Sequence, residues 1–110
     1  MKILLLFIDI YRLFINLFYD LKNANGIIKE YYDNGELIFE GEYLNGKRNG
    51  KGKEYNEHGI LKFEGEYLNG KRNGKGKEYN DYGELIFEGE YLNGKRWNWK
   101  GKEYDDDVDY

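Results

Sequence analysis

The sequence predicts a mainly β fold: an antiparallel meander of tandem β-hairpins forming one twisted open sheet, preceded by an apolar N-terminal α-helix. Three observations predict it. Residues 39–56 read FEGEYLNGKRNGKGKEYN, residues 63–80 repeat those letters, and an altered copy runs over 87–104. Tyr19, Tyr31, Tyr43, Tyr55, Tyr67, Tyr79 and Tyr91 recur every 12 residues. Asn-Gly pairs at Asn45-Gly46, Asn69-Gly70 and Asn93-Gly94 punctuate the copies. A fixed period of 24 residues means an array of small units, and 12 residues make one strand with its turn.

The first 26 residues stand apart from the array, as helix and turn. In residues 3–21 the polar positions are Asp9, Arg12, Asn16 and Asp20. Spacings of three, four and four place them in one sector of a helix and leave a wide apolar face. The pattern predicts a helix from about Lys2 to Lys22, ended by Asn23, Asn25 and Gly26. The leading expectation packs it on one face of the sheet, over Phe39, Phe63 and Phe87. The alternative lays it in a membrane interface or across a membrane. Spanning would put Arg12 near mid-bilayer at a cost of about 2.5–3.5 kcal/mol. A signal peptide fits poorly, because Asp9 and Arg12 interrupt the apolar run and no A-x-A site follows. A decayed repeat is disfavoured by the helical spacing.

The hairpin array is expected over residues 27–104, in about six strands. Leu37, Phe39, Gly41 and Tyr43 alternate with Ile38, Glu40, Glu42 and Leu44, the period of a half-buried strand. The same holds at Leu61–Tyr67 and Leu85–Tyr91. The glycine between Phe and Tyr makes room for aromatic rings. Ile28 stands where later copies have glycine, a bulkier residue suited to an end strand. Gly76 and Tyr79 fall on opposite faces under strict alternation, which points to a bulge in the second strand. Residues 105–110 form an acidic tail without the glycine or spacing of a calcium loop.

In a meander the turns alternate between edges. Segments 45–53, 69–77 and 93–102 hold 12 of the 17 basic residues and no acid, whereas Asp33, Glu36, Glu57, Asp81 and Glu84 lie at the opposite edge. Lys47, Arg48, Lys71, Arg72, Lys95 and Arg96 are therefore the candidate anion- or lipid-facing edge. Edge protection by charge is the competing explanation, as is local pairing of Lys51 with Glu42 and Lys53 with Glu40. Phe39, Tyr43, Phe63, Tyr67, Phe87 and Tyr91, with Trp97 and Trp99, are the candidate partner face. The two tryptophans alternatively cap the end of the array.

Composition narrows the chemistry. Serine, threonine and cysteine are missing from the sequence, and His58 is its single histidine. The usual hydroxyl and thiol nucleophiles are thus excluded. GKRNGKGK at 46–53 is one residue short of a P-loop and lacks its hydroxyl residue. His58 aligns with Asn34 and Tyr82 and reads as a turn residue. The glutamate pairs 40/42, 64/66 and 88/90 are copies in equivalent settings, unlike an acid–base pair. No catalytic residue, cofactor or metal is expected, and a net charge of −4 argues against nucleic acid.

Glu-Gly-Glu-Tyr-x-Asn-Gly-Lys-x-x-Gly-x-Gly, in tandem copies over about residues 27–104, resembles the MORN repeat (membrane occupation and recognition nexus). The long link at 77–85 is similar to bacterial variants described as antitoxin-like. The resemblance implies a ribbon of hairpins with non-catalytic binding roles: protein docking, anionic phospholipid contact or self-association. The leading functional expectation is a protein-binding scaffold. Peripheral attachment to anionic lipid and neutralisation of a toxin are the alternatives, and self-association through edge strands is a further option. The expected location is the cytoplasm, with membrane association through residues 3–21 as the variant.

Overall fold

A computed structural model describes residues 2–22, 24–97 and 101–104 and, within the helix, the side chains of residues 7–17. Helix α1 (Lys2–Lys22) precedes strands β1 (Gly26–Tyr31), β2 (Leu37–Leu44), β3 (Lys47–Tyr55), β4 (Leu61–Leu68), β5 (Lys71–Tyr79), β6 (Leu85–Leu92), β7 (Lys95–Arg96) and β8 (Lys102–Glu103). All strands join one open antiparallel sheet in the order β1-β2-β3-β4-β5-β6-β7, with β8 also on β6. The expectation of about six strands falls short, because β1 adds a strand to the three hairpins and the altered third copy divides its closing strand into β7 and β8. The pairs Phe87↔Glu103 and Glu88↔Lys102 reproduce Phe39↔Glu54 and Glu40↔Lys53. The one-residue insertion is therefore absorbed between Arg96 and Gly101.

Turn chemistry sets the register. Asn45 and Gly46 have φ of 52° and 79°, and the two later Asn-Gly pairs match them. Two successive positive φ values give the hairpin turn whose twist suits its flanking strands. At the opposite edge Asn56 Oδ1 accepts from the backbone N–H of His58 and Ile60 at 2.9 and 3.0 Å, and Asn80 does the same for Tyr82 and Glu84. The expected bulge is present: the register shifts between Glu54 and Tyr55 and between Glu78 and Tyr79.

Phe39, Phe63 and Phe87 are fully buried, and Tyr67 and Tyr91 nearly so. Phe39 and Phe63 each meet the tyrosine of the next repeat edge-on, with centroids 5.2 Å apart for Phe39–Tyr67 and 5.1 Å for Phe63–Tyr91, and Phe87 meets Tyr91 of its own repeat at 5.6 Å. Such pairs contribute about 0.5–1.5 kcal/mol beyond burial. The rings fit because a row of glycines crosses the sheet, paired as Gly41↔Gly52, Gly52↔Gly65, Gly65↔Gly76 and Gly76↔Gly89. A Cβ on Gly52 would stand 2.5 Å from the Phe39 ring. On β1 no preceding phenylalanine exists, and Ile28 takes the glycine's place opposite Gly41.

The helix forms where the polar spacing placed it, yet it does not cover the phenylalanines. Every residue from 7 to 17 is exposed, including Phe7 at 64% and Leu13 at 70%. The three phenylalanines are sealed by side chains of the sheet itself, so a packed helix has nothing left to cover.

Candidate functional site

The two faces of the sheet differ in kind. On the aromatic face the guanidinium carbons of Arg48, Arg72 and Arg96 lie 4.1, 4.1 and 4.5 Å from the ring centres of Phe39, Phe63 and Phe87. Each arginine is held by a glutamate from one hairpin earlier. Arg48 Nε donates to Glu30 at 2.9 Å and Arg72 Nε to Glu54 at 2.7 Å, and Arg96 pairs with Glu78. The same carboxylates accept the phenol protons of Tyr67 (on Glu54) and Tyr91 (on Glu78). Arg48 also reaches Glu54 at 3.8 Å, and Arg72 reaches Glu78 at 3.5 Å. The result is a chain of alternating charge from Glu30 through Arg48, Glu54, Arg72 and Glu78 to Arg96, laid over the rings.

Electrostatics follow from this packing. Burial pushes the Glu54 carboxyl up, but hydrogen bonds from Arg72 and Tyr67 and the charges of Arg72 and Arg48 outweigh it and hold it below its usual range. Glu78 is likewise lowered: burial raises it, and the bonds from Arg96 and Tyr91 prevail. Burial and the adjoining carboxylates push the Tyr67 and Tyr91 phenols well above theirs.

Most of the rings of the candidate partner face form the core. Phe39, Phe63, Tyr67, Phe87 and Tyr91 are closed to a partner, Tyr43 is half-buried, and Trp97 is 38% exposed. Trp99 lies outside the described residues. Of the candidate basic edge, Lys47, Lys71 and Lys95 are exposed, whereas Arg48, Arg72 and Arg96 turn inward over the rings. The three arginines do keep their regular recurrence along one side of the sheet.

The opposite face is open. A groove of about 1080 Å³ crosses the strands there, floored by Gly41, Gly52, Gly65, Gly76 and Gly89. Glu40, Lys53, Glu64, Lys77, Glu88 and Lys102 line one wall, and Lys51, Glu66, Lys75 and Glu90 the other. Acidic strands therefore alternate with basic ones. Along the first wall the ion pairs step to the next hairpin: Lys29–Glu40 and Lys53–Glu64 at 3.5 Å, Lys77–Glu88 at 4.0 Å. Lys53 thus stands opposite Glu40 in the register, as expected, but pairs with Glu64. On the second wall Glu42 and Glu66 accept the backbone N–H of Lys51 and Lys75, both at 2.6 Å. The lysine side chains beside them are left exposed.

The alternation Glu40/Glu42 against Lys51/Lys53 was readable in the sequence as a solvated face. The groove was not, because its floor depends on glycines of separate strands meeting in register. His58 is exposed in its turn beside Glu57. Among the described residues no group of three or more His, Cys, Asp or Glu is placed to hold a metal ion.

Comparison with known proteins yields one family. The model of the MORN repeat matches residues 39–57, 63–84 and 87–97. No curated protein matches the chain.

Proposed function

Since the chain belongs to the MORN repeat family, we propose that it is a non-enzymatic protein-binding module whose working surface is the charged groove face. The observation that carries this reading is the contrast between the faces. The aromatic face is closed by its own arginines and tyrosines, and the other repeats one set of charges across successive hairpins. A recurring surface suits an extended or multivalent polypeptide, because equivalent sites lie in a row and binding at one raises the effective concentration at the next.

The test is selection of a random 12-residue peptide library on the intact chain, with counter-screening on the double variant Lys51→Glu/Lys75→Glu. Both lysines are exposed and, among the described residues, lack a carboxylate at ion-pair distance, so the swap leaves the core alone. Enriched peptides should lose binding to that variant and keep it on Lys62→Glu, which lies outside the groove. No enrichment, or binders indifferent to the groove substitutions, would sink the reading.

The bare apolar side chains of α1 support a second reading, attachment to a membrane surface. Among the described residues no helix is long and apolar enough to cross a membrane, so the helix would lie in the interface. Co-sedimentation with phosphatidylcholine vesicles, with and without 20% phosphatidylserine, tests it. Pelleting that persists after removal of residues 1–22 would assign any lipid contact to the sheet instead.

A further inference from the structure

Beside the groove, along the edge of the Asn-Gly turns, Leu44, Leu68 and Leu92 are 51%, 50% and 51% exposed. They stand directly opposite Lys47, Lys71 and Lys95 in the register. Leu44 shares a strand face with Glu42 and Glu40, so this row belongs to the open side. The three lysines, and Lys51 and Lys75 nearby, have no carboxylate at ion-pair distance among the described residues. Each repeat thus presents one bare leucine and an unpaired cation opposite it, and the first two repeats add a second cation. Exposed leucines at equivalent positions in every hairpin do not contribute to the core, and the cations around them call for an acidic ligand.

The spacing selects the ligand's conformation. Equivalent leucines are two strands apart, about 9.4–9.8 Å. An extended β-strand presents one face every two residues, about 6.6–6.8 Å, and three residues on it presents the other face. One heptad of α-helix advances about 10.5 Å, overshooting by roughly 1 Å at each repeat. A polyproline-II chain returns to the same face every three residues, a rise of about 9.3 Å. We propose, building on the groove-face reading, that the leucine–lysine row takes an acidic polyproline-II segment. Its apolar residue at every third position would contact Leu44, Leu68 and Leu92 in turn, and its carboxylates would meet Lys47, Lys71 and Lys95.

The probe is a fluorescein-labelled peptide of four Leu-Glu-Pro triplets, titrated by anisotropy at low salt. It is compared with a scrambled peptide of the same composition and with a helical peptide carrying leucine every seventh residue among glutamates. The triplet peptide should bind at least ten-fold more tightly than either control. The triple variant Leu44→Ser/Leu68→Ser/Leu92→Ser should erase that preference, and Lys47→Glu/Lys71→Glu/Lys95→Glu should abolish binding. Circular dichroism of both variants should be unchanged, since the substituted side chains are exposed. Equal binding of triplet and scramble, or preference for the helical peptide, would overturn the inference. If library binders nevertheless depend on Lys51 and Lys75, the groove reading stands without it. If neither the triplet peptide nor the library binds, both fall.

Discussion

Arg72 sits over Phe63, its guanidinium carbon 4.1 Å from the ring centre, while its Nε donates to Glu54 at 2.7 Å. One side chain thereby closes the core of its own repeat and ties down the repeat before it. A thin sheet without a second layer can bury a phenylalanine completely only if something planar covers the ring. Guanidinium does so and still satisfies its donors at the rim.

Arg72→Lys keeps the charge and removes the plane. The ammonium cannot cover Phe63 and bridge Glu54 and Glu78 together. We expect a loss of about 1–2 kcal/mol, the scale of a partly desolvated cation–π contact with its hydrogen bond, read from urea denaturation midpoints. The exposed control Lys62→Arg should stay within about 0.5 kcal/mol. Equal midpoints for the two variants would refute the covering role.

Stability should fall at both ends of the pH scale. The Glu54 and Glu78 carboxyls are lowered in the folded state, so on acidification the unfolded chain takes up protons first. Their contribution is complete above the ordinary carboxylate value of about 4.3 and is lost as pH drops through the lower folded values. Tyr67 and Tyr91 are raised, so their contribution is complete below about pH 10 and is lost above it. Thermal melts from pH 2 to 12 check both limbs. Glu54→Gln should flatten the acid limb, and an unchanged limb would show that the carboxylate is not responsible.

Two glycines of the β4–β5 hairpin separate space from backbone strain. A Cβ on Gly76 would meet the Phe63 ring at 2.7 Å and the Tyr91 ring at 2.9 Å, both packed. Gly76→Ala should cost about 1–3 kcal/mol, the range for overpacking. Gly70, in its turn at φ 88°, has nothing within 4 Å, and Gly70→Ala should cost about 1–2 kcal/mol through the left-handed backbone alone. Ring-proton chemical shifts of Phe63 should move in the first variant and not in the second.

Removal of residues 1–23 should leave the sheet's denaturation midpoint unchanged, because side chains 7–17 are exposed along their length. Removal through residue 25 should lower it by about 1 kcal/mol. That cut deletes Ala24, whose carbonyl accepts from Gly46, and Asn25, whose Oδ1 accepts from Asn45, both at 2.9 Å. A large loss from the shorter truncation would mean that the helix supports the sheet.

Much of this fold was legible in the letters. The 24-residue period, the Asn-Gly turns and the Phe-Gly-Tyr alternation dictate hairpins, a register and a ring-bearing face. The fate of the charges was not. Glu54 and Glu66 both precede a tyrosine, yet Glu54 turns into the core and Glu66 caps the backbone of Lys75. The bulges around Gly50 and Tyr55 decide this, and a 12-residue beat hides it by making the two tyrosine classes look alike. Arg48, Arg72 and Arg96 read as a solvent-facing comb because their partners Glu30, Glu54 and Glu78 lie 18 residues upstream. Such a distance belongs to no strand or turn period.

Glu30, Glu54 and Glu78 each grip an arginine of the hairpin that follows, so the closest bond of every such carboxylate crosses from one unit to the next. Unequal crossing-over between the near-identical copies that adds or removes one whole unit, wherever the breakpoint falls between 39 and 87, still gives every carboxylate a following arginine and tyrosine. A chain longer or shorter by one whole unit would therefore keep this set of contacts without a compensating substitution.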